Sequence, residues 1–529
     1  MQCQPVFSIE FLKTTLWPIF PHEVRRVLTL SALLFLVCFD YSMLRCMKDT
    51  VVVTASSAAV IPFIKVWTLL PMAIFFTFGY AKISSRLSRS TTFYVIVTAF
   101  LAFFLVYAFV LYPYREAVHL TSLGNFLRGV LPQGLAGFIA MIEYWSFTLF
   151  YIIAELWSNI VLSILTWGFI NEITSLKEAP RFYAVLSVAS NIAAVAAGSV
   201  ANIFVSNVFQ NDWQSSQQGM ILVIVASGFF SLLLYRLANK EQAIRAQAEL
   251  TPGEERGAIK FSLKESFQEV QKSRHLRYLA IIVIAYFFVI NTVEVIWKEQ
   301  LRLLFSSPTD FNHYMNTLTI CIGVVSTLLG IFVAFLISRF GWTKTALLTP
   351  VVSLITSLAF FIFVTFEHKL LGLSGLLGTT PLAIAVFLGA VQNCLSKGTK
   401  YSCFDSTKEM AFIPLSRISK LKGKAVIDGV MSRSGKSGAS LVLQSMILIF
   451  GGLVVSTPYI IGIMLAVILG WIRATRRLGR IIDAALGGEE ISPPPLPEQL
   501  ELAPLATACT EVEALADDSG LEGMPCQPT

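Results

Sequence analysis

Charged side chains of both signs stand inside long apolar runs of this chain. Arg45, Lys48, Asp49 and Lys65 fall between an apolar run from Val27 to Phe39 and another from Val66 to Tyr80. Glu155 interrupts Tyr151-Ile152-Ile153-Ala154, and Glu294 interrupts the run that ends at Trp297. Arg433 and Lys436 interrupt a third, from Gly429 to Phe450. A charge near the centre of a bilayer costs about 2.5 to 3.5 kcal/mol even on a lenient insertion scale. Cations in such places need anions, either from a facing helix or from a passing substrate. Each acid therefore has two readings, a structural ion pair or a member of a proton or substrate relay.

Three further groups belong with these charges. Arg433 and Lys436 are three residues apart, so they neighbour one another on a helix, beside Gly435, Ser437 and Gly438, small residues that permit close approach. They suit an anionic ligand, or else they snorkel to the nearer interface. Gly435-Lys436-Ser437 is not a P-loop, because five residues separate it from Gly429 where the motif needs four. Gln392, Lys397 and Lys400 cluster at the end of one run, and Asn159 follows Glu155. Amides and hydroxyls can read base and ribose edges, and Trp157, Tyr151 and Tyr401 could stack on a base. The plain alternative for the Gln392–Lys400 cluster is a solvated helix end. No HExxH, no Cys/His cluster and no Gly-x-Ser-x-Gly occurs. An enzyme, a metal site and a cofactor are therefore not expected.

The elements that must position these residues are membrane helices. Mean hydropathy is +0.69 and charged residues make up 14%, against about 25% in soluble domains. Apolar runs of spanning length, about 20 residues, fall at 27–44, 61–80, 92–112, 144–169, 183–206, 219–236, 278–296, 317–338, 345–366, 380–396, 429–450 and 457–472. Twelve spans are expected, in an all-α fold. The eight cysteines have no ligand spacing, and Cys38, Cys321 and Cys394 read as small buried residues. No signal peptide is expected, since the first apolar run begins only near Val27.

Loop charge orients the spans. Lys82, Arg86 and Arg89, then Lys177 and Arg181, then nine Lys or Arg between Arg236 and Arg277 mark every second loop, and the alternate loops are poor in both. Both termini carry basic residues beside the membrane, at Arg25 and Arg26 and from Arg473 to Arg480. The positive-inside rule makes both termini cytoplasmic. Topology thus accounts for the basic loops, and nucleic-acid binding is disfavoured. The expected organisation is a cytoplasmic segment 1–26, a six-helix half 27–236, a linker 237–277, a second half 278–472 and a tail 473–529. From about residue 487 the tail is expected to be disordered, with nine acids and no Lys or Arg. Lys48-Asp49 and Lys298-Glu299 occupy corresponding places, as expected of duplicated halves of the major-facilitator kind. The stretch Leu44 to Lys65 reads as an anion-binding hinge, with Lys298 as the echo of Lys48 and Lys65 as an interfacial anchor. A Lys–phosphate contact at ~4 Å is worth about 4 kcal/mol at an effective dielectric of ~20, before desolvation. Several such contacts could offset dehydration of a phosphorylated organic anion.

Longer strings go further. Leu44-Arg45-x-x-Lys48-Asp49-Thr50-x-Val52-Val53-Thr54-Ala55, Ile61-Pro62-Phe63-Ile64-Lys65, Glu155-Leu156-Trp157, Trp167-Gly168-Phe169-x-Asn171-Glu172-Ile173-Thr174, Val293-Glu294-x-x-Trp297-Lys298 and Gly435-Lys436-Ser437-Gly438 resemble the ATP/ADP translocase family of obligate intracellular bacteria and plastids. That family is unrelated to the mitochondrial carrier, and its chlamydial members look most similar. The resemblance covers about residues 10 to 480. It implies twelve spans and nucleotide transport across a bacterial inner membrane or plastid envelope. Transport-critical charges then fall at Lys48, Glu155, Glu294 and Lys436, to which the intramembrane position of Arg45 and Arg433 adds two more.

One departure matters. The family's exchangers carry Gly-Ala-Glu in a segment two residues longer than the present Ser56-Ser57-Ala58-Ala59-Val60, which has no acid. The expected activity is therefore import of several nucleotides (ATP, GTP, UTP, CTP and ADP as candidates). Proton coupling is expected through Glu155 or Glu294, with strict ATP/ADP exchange as the alternative. The protein is expected in the lipid bilayer as a monomer. A non-transporting scaffold that binds through its acidic tail is the remaining reading. Deleting the tail after Arg480 should leave nucleotide flux into vesicles unchanged, whereas a scaffold would lose its binding.

Overall fold

The computed structural model describes residues 19–84, 86–174, 178–208, 212–248, 263–376 and 378–486. The acidic tail from 487 lies outside the described residues. Residues up to Ile482 form one compact body, helical with no strand among the described residues. In chain order the long helices are α1 (Pro21–Ala55), α2 (60–84), α3 (Arg89–Leu111), α4 (Trp145–Ile173), α5 (Arg181–Ser206) and α6 (Trp213–Ala248). The second six are α7 (Arg274–Leu304), α8 (308–340), α9 (342–365), α10 (Pro381–Ala411), α11 (417–450) and α12 (Leu453–Leu486). Among the described residues, ten helices are long and apolar enough to cross a membrane, where the sequence suggested twelve. The other two are helices as well. In α2 only Val60–Phe76 qualifies as a shorter apolar helix, and in α11 Asp428, Arg433 and Lys436 interrupt the apolar run.

Local sequence explains where the helices start and stop. Ser88, Ser273, Thr380 and Ser416 cap α3, α7, α10 and α11 by accepting a backbone N–H three residues on, which satisfies one of the free donors of a first turn. Pro308 and Pro381 occupy first-turn positions, where a missing N–H costs nothing. Gly341, at φ 78, separates α8 from α9, and Gly451, at φ 82, ends α11. Residues with a Cβ rarely adopt that conformation.

Several boundaries differ from expectation. No Pro or Gly breaks the chain between Val24 and Ala55, so α1 runs eleven residues beyond its apolar run. The expected hinge is therefore a continuous helix through Ala55, a turn at 56–59 and the start of α2. The expected linker is largely helical where described, because α6 continues through Ala-Asn-Lys-Glu-Gln-Ala to Ala248 and Leu263–Lys272 is a helix. Cys38 is buried, but Cys321 is exposed and Cys394 is half-buried.

Packing repeats between the halves. α1 packs on α5, and α7 packs on α11. α5 packs across on α8, and α11 packs across on α2. These paired relations are what duplicated six-helix halves produce. Glycines set the closeness of the α5–α8 contact. A Cβ on Gly198 would lie 2.7 Å from the Asn316 carbonyl oxygen, and one on Gly323 would lie 2.8 Å from the Asn191 carbonyl oxygen. Neither backbone can yield as a flexible side chain would. Gly323→Leu is expected to destabilise the protein by about 1–3 kcal/mol through overpacking. A lowered unfolding temperature in detergent would register it, and an unchanged one would mean that the two helices can separate freely.

Candidate functional site

The extension of α1 carries Arg45, Lys48 and Asp49 into the centre of the body. One turn separates Arg45 from Asp49, and Lys48 and Asp49 are adjacent, so the helix presents cation and acid together. Asp49 accepts from its neighbour Lys48 at 3.0 Å and from Lys298 of α7 at 2.8 Å. Lys48 also pairs with Glu155 of α4 at 3.3 Å and sits 3.8 Å from the ring centre of Tyr151. Lys298 pairs with Glu294, one turn back on α7, at 3.0 Å, and Glu294 pairs with Lys397 of α10 at 3.2 Å. The result is an unbroken ladder, Glu155–Lys48–Asp49–Lys298–Glu294–Lys397. Acids and cations alternate, and it crosses from one half to the other at Asp49–Lys298.

Burial is graded along the ladder. The side chains of Asp49, Lys48 and Lys298 are 1%, 4% and 5% exposed, whereas Glu155 and Glu294 are 20% and 18% exposed. The middle is sealed and the outer members are within reach of a ligand. Two buried charges lose several kcal/mol each on leaving water, so each buried member persists only because partners lie on both sides.

Three more cations surround the ladder. Arg45 donates to Thr319 of α8 at 3.2 Å, and Lys65 donates to Asn291 of α7 at 2.8 Å. Lys436 of α11 lies 5.2 Å from the Phe287 ring centre and within electrostatic range of Glu155. None of the three has a carboxylate partner among the described residues. With three acids against three lysines the ladder is neutral, and these cations leave the centre positive.

The halves are also joined on the side of the ladder away from the termini. Asn312 donates to Thr50 at 2.9 Å, and Glu299 accepts from the backbone N–H of Ala58 at 2.7 Å while pairing with Arg302 at 2.6 Å. Glu299 thus holds the α1–α2 turn, while Asp49, its counterpart in the sequence echo, is the hub of the ladder. Towards the termini, the ion pairs Arg26–Glu178, Arg181–Glu23, Arg89–Glu172 and Lys408–Asp428 each lie within one half. A cavity of about 420 Å³ lies at the far end, lined by Thr54, Arg115, His119, Tyr144 and Trp213 among others, and does not contain the ladder.

The structure sorts the expected site residues. Lys48, Glu155, Glu294 and Lys397 are ladder members, and Arg45 and Lys436 stand beside it. Lys65 is an inward-facing member of the centre and not an interfacial anchor. Arg433 is exposed, without a hydrogen bond or ion pair among the described residues, one turn from Lys436 towards the chain termini. Asn159 bonds back to the Glu155 carbonyl at 3.4 Å. Gln392 is fully buried, with neither amide atom bonded, so it is closed to a ligand in this structure. Lys400 is taken by Asp405 at 3.0 Å and by the Tyr401 ring at 4.2 Å. Trp157 and Tyr151 are not open to a base. Trp157 is buried against Phe100 and Phe104 with its Nε1 donating to the Val37 carbonyl, and Tyr151 lies beneath Lys48. Tyr401 is 39% exposed and remains available.

Sequence reasoning overlooked Tyr41, which lies within electrostatic range of Glu155, Arg45, Lys48 and Tyr401. Its position one turn before Arg45 was the available signal. Wide π turns occur at Ile64–Leu69, Trp157–Trp167, Lys400–Phe404 and Ala425–Met431. They contain Lys65, follow Glu155 and Lys397, and precede Arg433. Such turns commonly accompany functional sites.

Comparisons with known proteins identify the family and the fold. The family described as TLC ATP/ADP transporter matches residues 4–481. ADP,ATP carrier protein 1 of Chlamydia pneumoniae is 40% identical over 495 residues, covering 91% of this chain and 96% of the relative. ADP,ATP carrier protein 1, chloroplastic, of Arabidopsis thaliana is 38% identical over 476 residues, covering 88% and 76%. In fold the chain is similar to a D-xylose-proton symporter (TM-score 0.51, 15% identity, 84% of this chain and 97% of that one). A bacterial homologue of the iron transporter ferroportin gives a TM-score of 0.50 at 14% identity, with 85% and 99% covered. These two support a major-facilitator-type fold and nothing finer.

Removing the hub should be costly. Asp49→Asn leaves Lys48 and Lys298 facing each other without their shared acid, and loss of a buried partner typically costs about 3–5 kcal/mol. A large fall in unfolding temperature is expected, partly restored when Lys298→Met is added. An unfolding temperature equal to that of the native protein would show that the ladder does not hold the halves together.

Proposed function

The chain belongs to the TLC ATP/ADP transporter family, and from that membership we propose that it imports nucleoside triphosphates, ATP among them, by alternating access with proton coupling. The observation that carries this reading is the positive centre, where Arg45, Lys65 and Lys436 lack acids beside a neutral ladder. A polyphosphate supplies the missing negative charge and can draw Lys48 and Lys397 away from the partly exposed Glu155 and Glu294. Tyr41 and Tyr401 offer aromatic faces for a base, which favours tolerance of several bases over hydrogen-bond readout.

Proton coupling follows from the same competition. A carboxylate that loses its lysine to a phosphate is left partly buried and unpaired, and taking up a proton relieves that cost. Glu155 and Glu294 are the groups so placed. The acid-free run Ser56–Val60 fits net uptake. Loop charge supports a multi-pass protein of the bacterial inner membrane with both termini cytoplasmic. The two half-domains and the intervening linker, acting as a monomer, complete the proposal.

A second reading is exchange of ATP for ADP. The names of the relatives favour it, as do the three cations without acids, because an empty positive centre would resist reorientation until another nucleotide binds. Uptake of labelled GTP and UTP into nucleotide-free vesicles, abolished by an uncoupler, is expected for proton-coupled import. Uptake that requires preloaded ADP and ignores the uncoupler would replace it with exchange. In the same assay Lys436→Ala should raise KM by about tenfold, equivalent to ~1.4 kcal/mol, with little loss of stability because the side chain is exposed. An unchanged KM would remove Lys436 from the phosphate site.

A further inference from the structure

α1 carries a second acid that the ladder does not use. Asp40 lies on the face of α1 shared by Leu33, Val37, Leu44 and Met47, all completely buried, and is itself 0% exposed. Neither of its carboxyl oxygens has a hydrogen-bond partner among the described residues. Its polar neighbour is the buried Ser227 hydroxyl of α6, which is near enough to act on the carboxyl but does not reach hydrogen-bond geometry with it in this conformation. On its own helix Cys38 is within electrostatic range, while Arg45, Lys48 and Asp49 serve the ladder. No charged group of α2, α4, α5, α6, α7 or α8, the helices packed on α1, acts on Asp40. The Trp157 indole of α4 is committed to the Val37 carbonyl.

This is the opposite of the situation of Glu155 and Glu294. Those acids are held ionised by lysines, whereas an acid in dry protein with no cation and only a neighbouring hydroxyl persists as the neutral carboxylic acid. We infer that Asp40 is a proton-binding site of the transport cycle, occupied in the conformation seen here and emptied when α1 moves. The inference rests on the proton-coupled reading above and adds to it a site distinct from Glu155 and Glu294. α1 supplies the link. Tyr41, the adjacent residue, is within electrostatic range of Glu155, Arg45 and Lys48, so a ladder rearranged by substrate turns the same helix whose other face seals Asp40 against α6. When the seal opens, Asp40 releases its proton to water and becomes a solvated carboxylate. It binds a proton again before α1 closes, and no other reactant is required.

The test uses the full-length protein in liposomes. Asp40→Asn preserves shape and fixes the neutral form, and Asp40→Ala is the second variant should the amide fold poorly. Counterflow of labelled ATP against internal ATP, with no pH gradient, reports folding and an intact substrate site, and should persist. Accumulation of labelled ATP in nucleotide-free liposomes driven by an imposed pH gradient should fall to its gradient-free level. In the infrared spectrum the native protein should show a carboxylic-acid carbonyl band at neutral pH that the variant lacks. If the variants accumulate ATP in response to the gradient as the native protein does, Asp40 is overturned while proton coupling stands and its site must be sought at Glu155 or Glu294. If the native protein shows counterflow but no response to the gradient, both the proton-coupled reading and the Asp40 site are overturned.

Discussion

The salt bridge between Asp49 and Lys298 is the constraint around which this molecule is arranged. It is the rung at which a buried acid of one half meets a buried cation of the other. Each offsets the cost of burying the other, because a charge in the protein interior loses several kcal/mol on leaving water. Each is backed by a further partner, Lys48 on one side and Glu294 on the other. The ladder therefore behaves as one unit, and any group that competes for a member disturbs the whole.

That coupling gives the surrounding cations their meaning. A fully paired ladder alone would be an inert strut. Arg45, Lys65 and Lys436, bonded only to a hydroxyl, an amide and an aromatic ring, leave the centre attractive to an anion. Glu155 and Glu294 are its more exposed members, so an incoming polyanion can engage the groups around them before reaching the sealed rung. In the proposed cycle, affinity for substrate and release of the joint between halves are one event.

α1 serves two environments at once. One face is polar and satisfied by charges from two other helices, α4 and α7, and another face holds Asp40 among completely buried aliphatic residues. A paired acid, Asp49, on one face and Asp40 on another let substrate and proton occupancy both act on α1 in the proposed cycle. The closeness of α5 and α8, set by Gly198 and Gly323, gives the halves a second contact across which such movement must pass.

Much of this was legible in the sequence. Apolar runs against a low share of charge fixed a helical membrane protein, and the strings around Lys48, Glu155, Glu294 and Lys436 pointed to the family that the comparisons then showed. Charges in apolar runs are expensive enough that each requires a partner or a ligand. The expected hinge illustrates what a sequence cannot supply. Hydropathy ended the first span where charges began, but partners from α4 and α7 let the helix continue through them to Ala55. Lys65 and Lys400 carry the same charge near similar helix ends. One faces the centre and bonds Asn291, and the other is bound to Asp405 of its own helix. Glu155 and Asp40 are both acids in apolar runs, yet one is paired and the other stands alone. Composition and spacing determine that charges must be buried. Which are neutralised, by whom, and which are left exposed to a ligand or holding a proton depends on contacts between residues hundreds of positions apart, which only the tertiary structure decides.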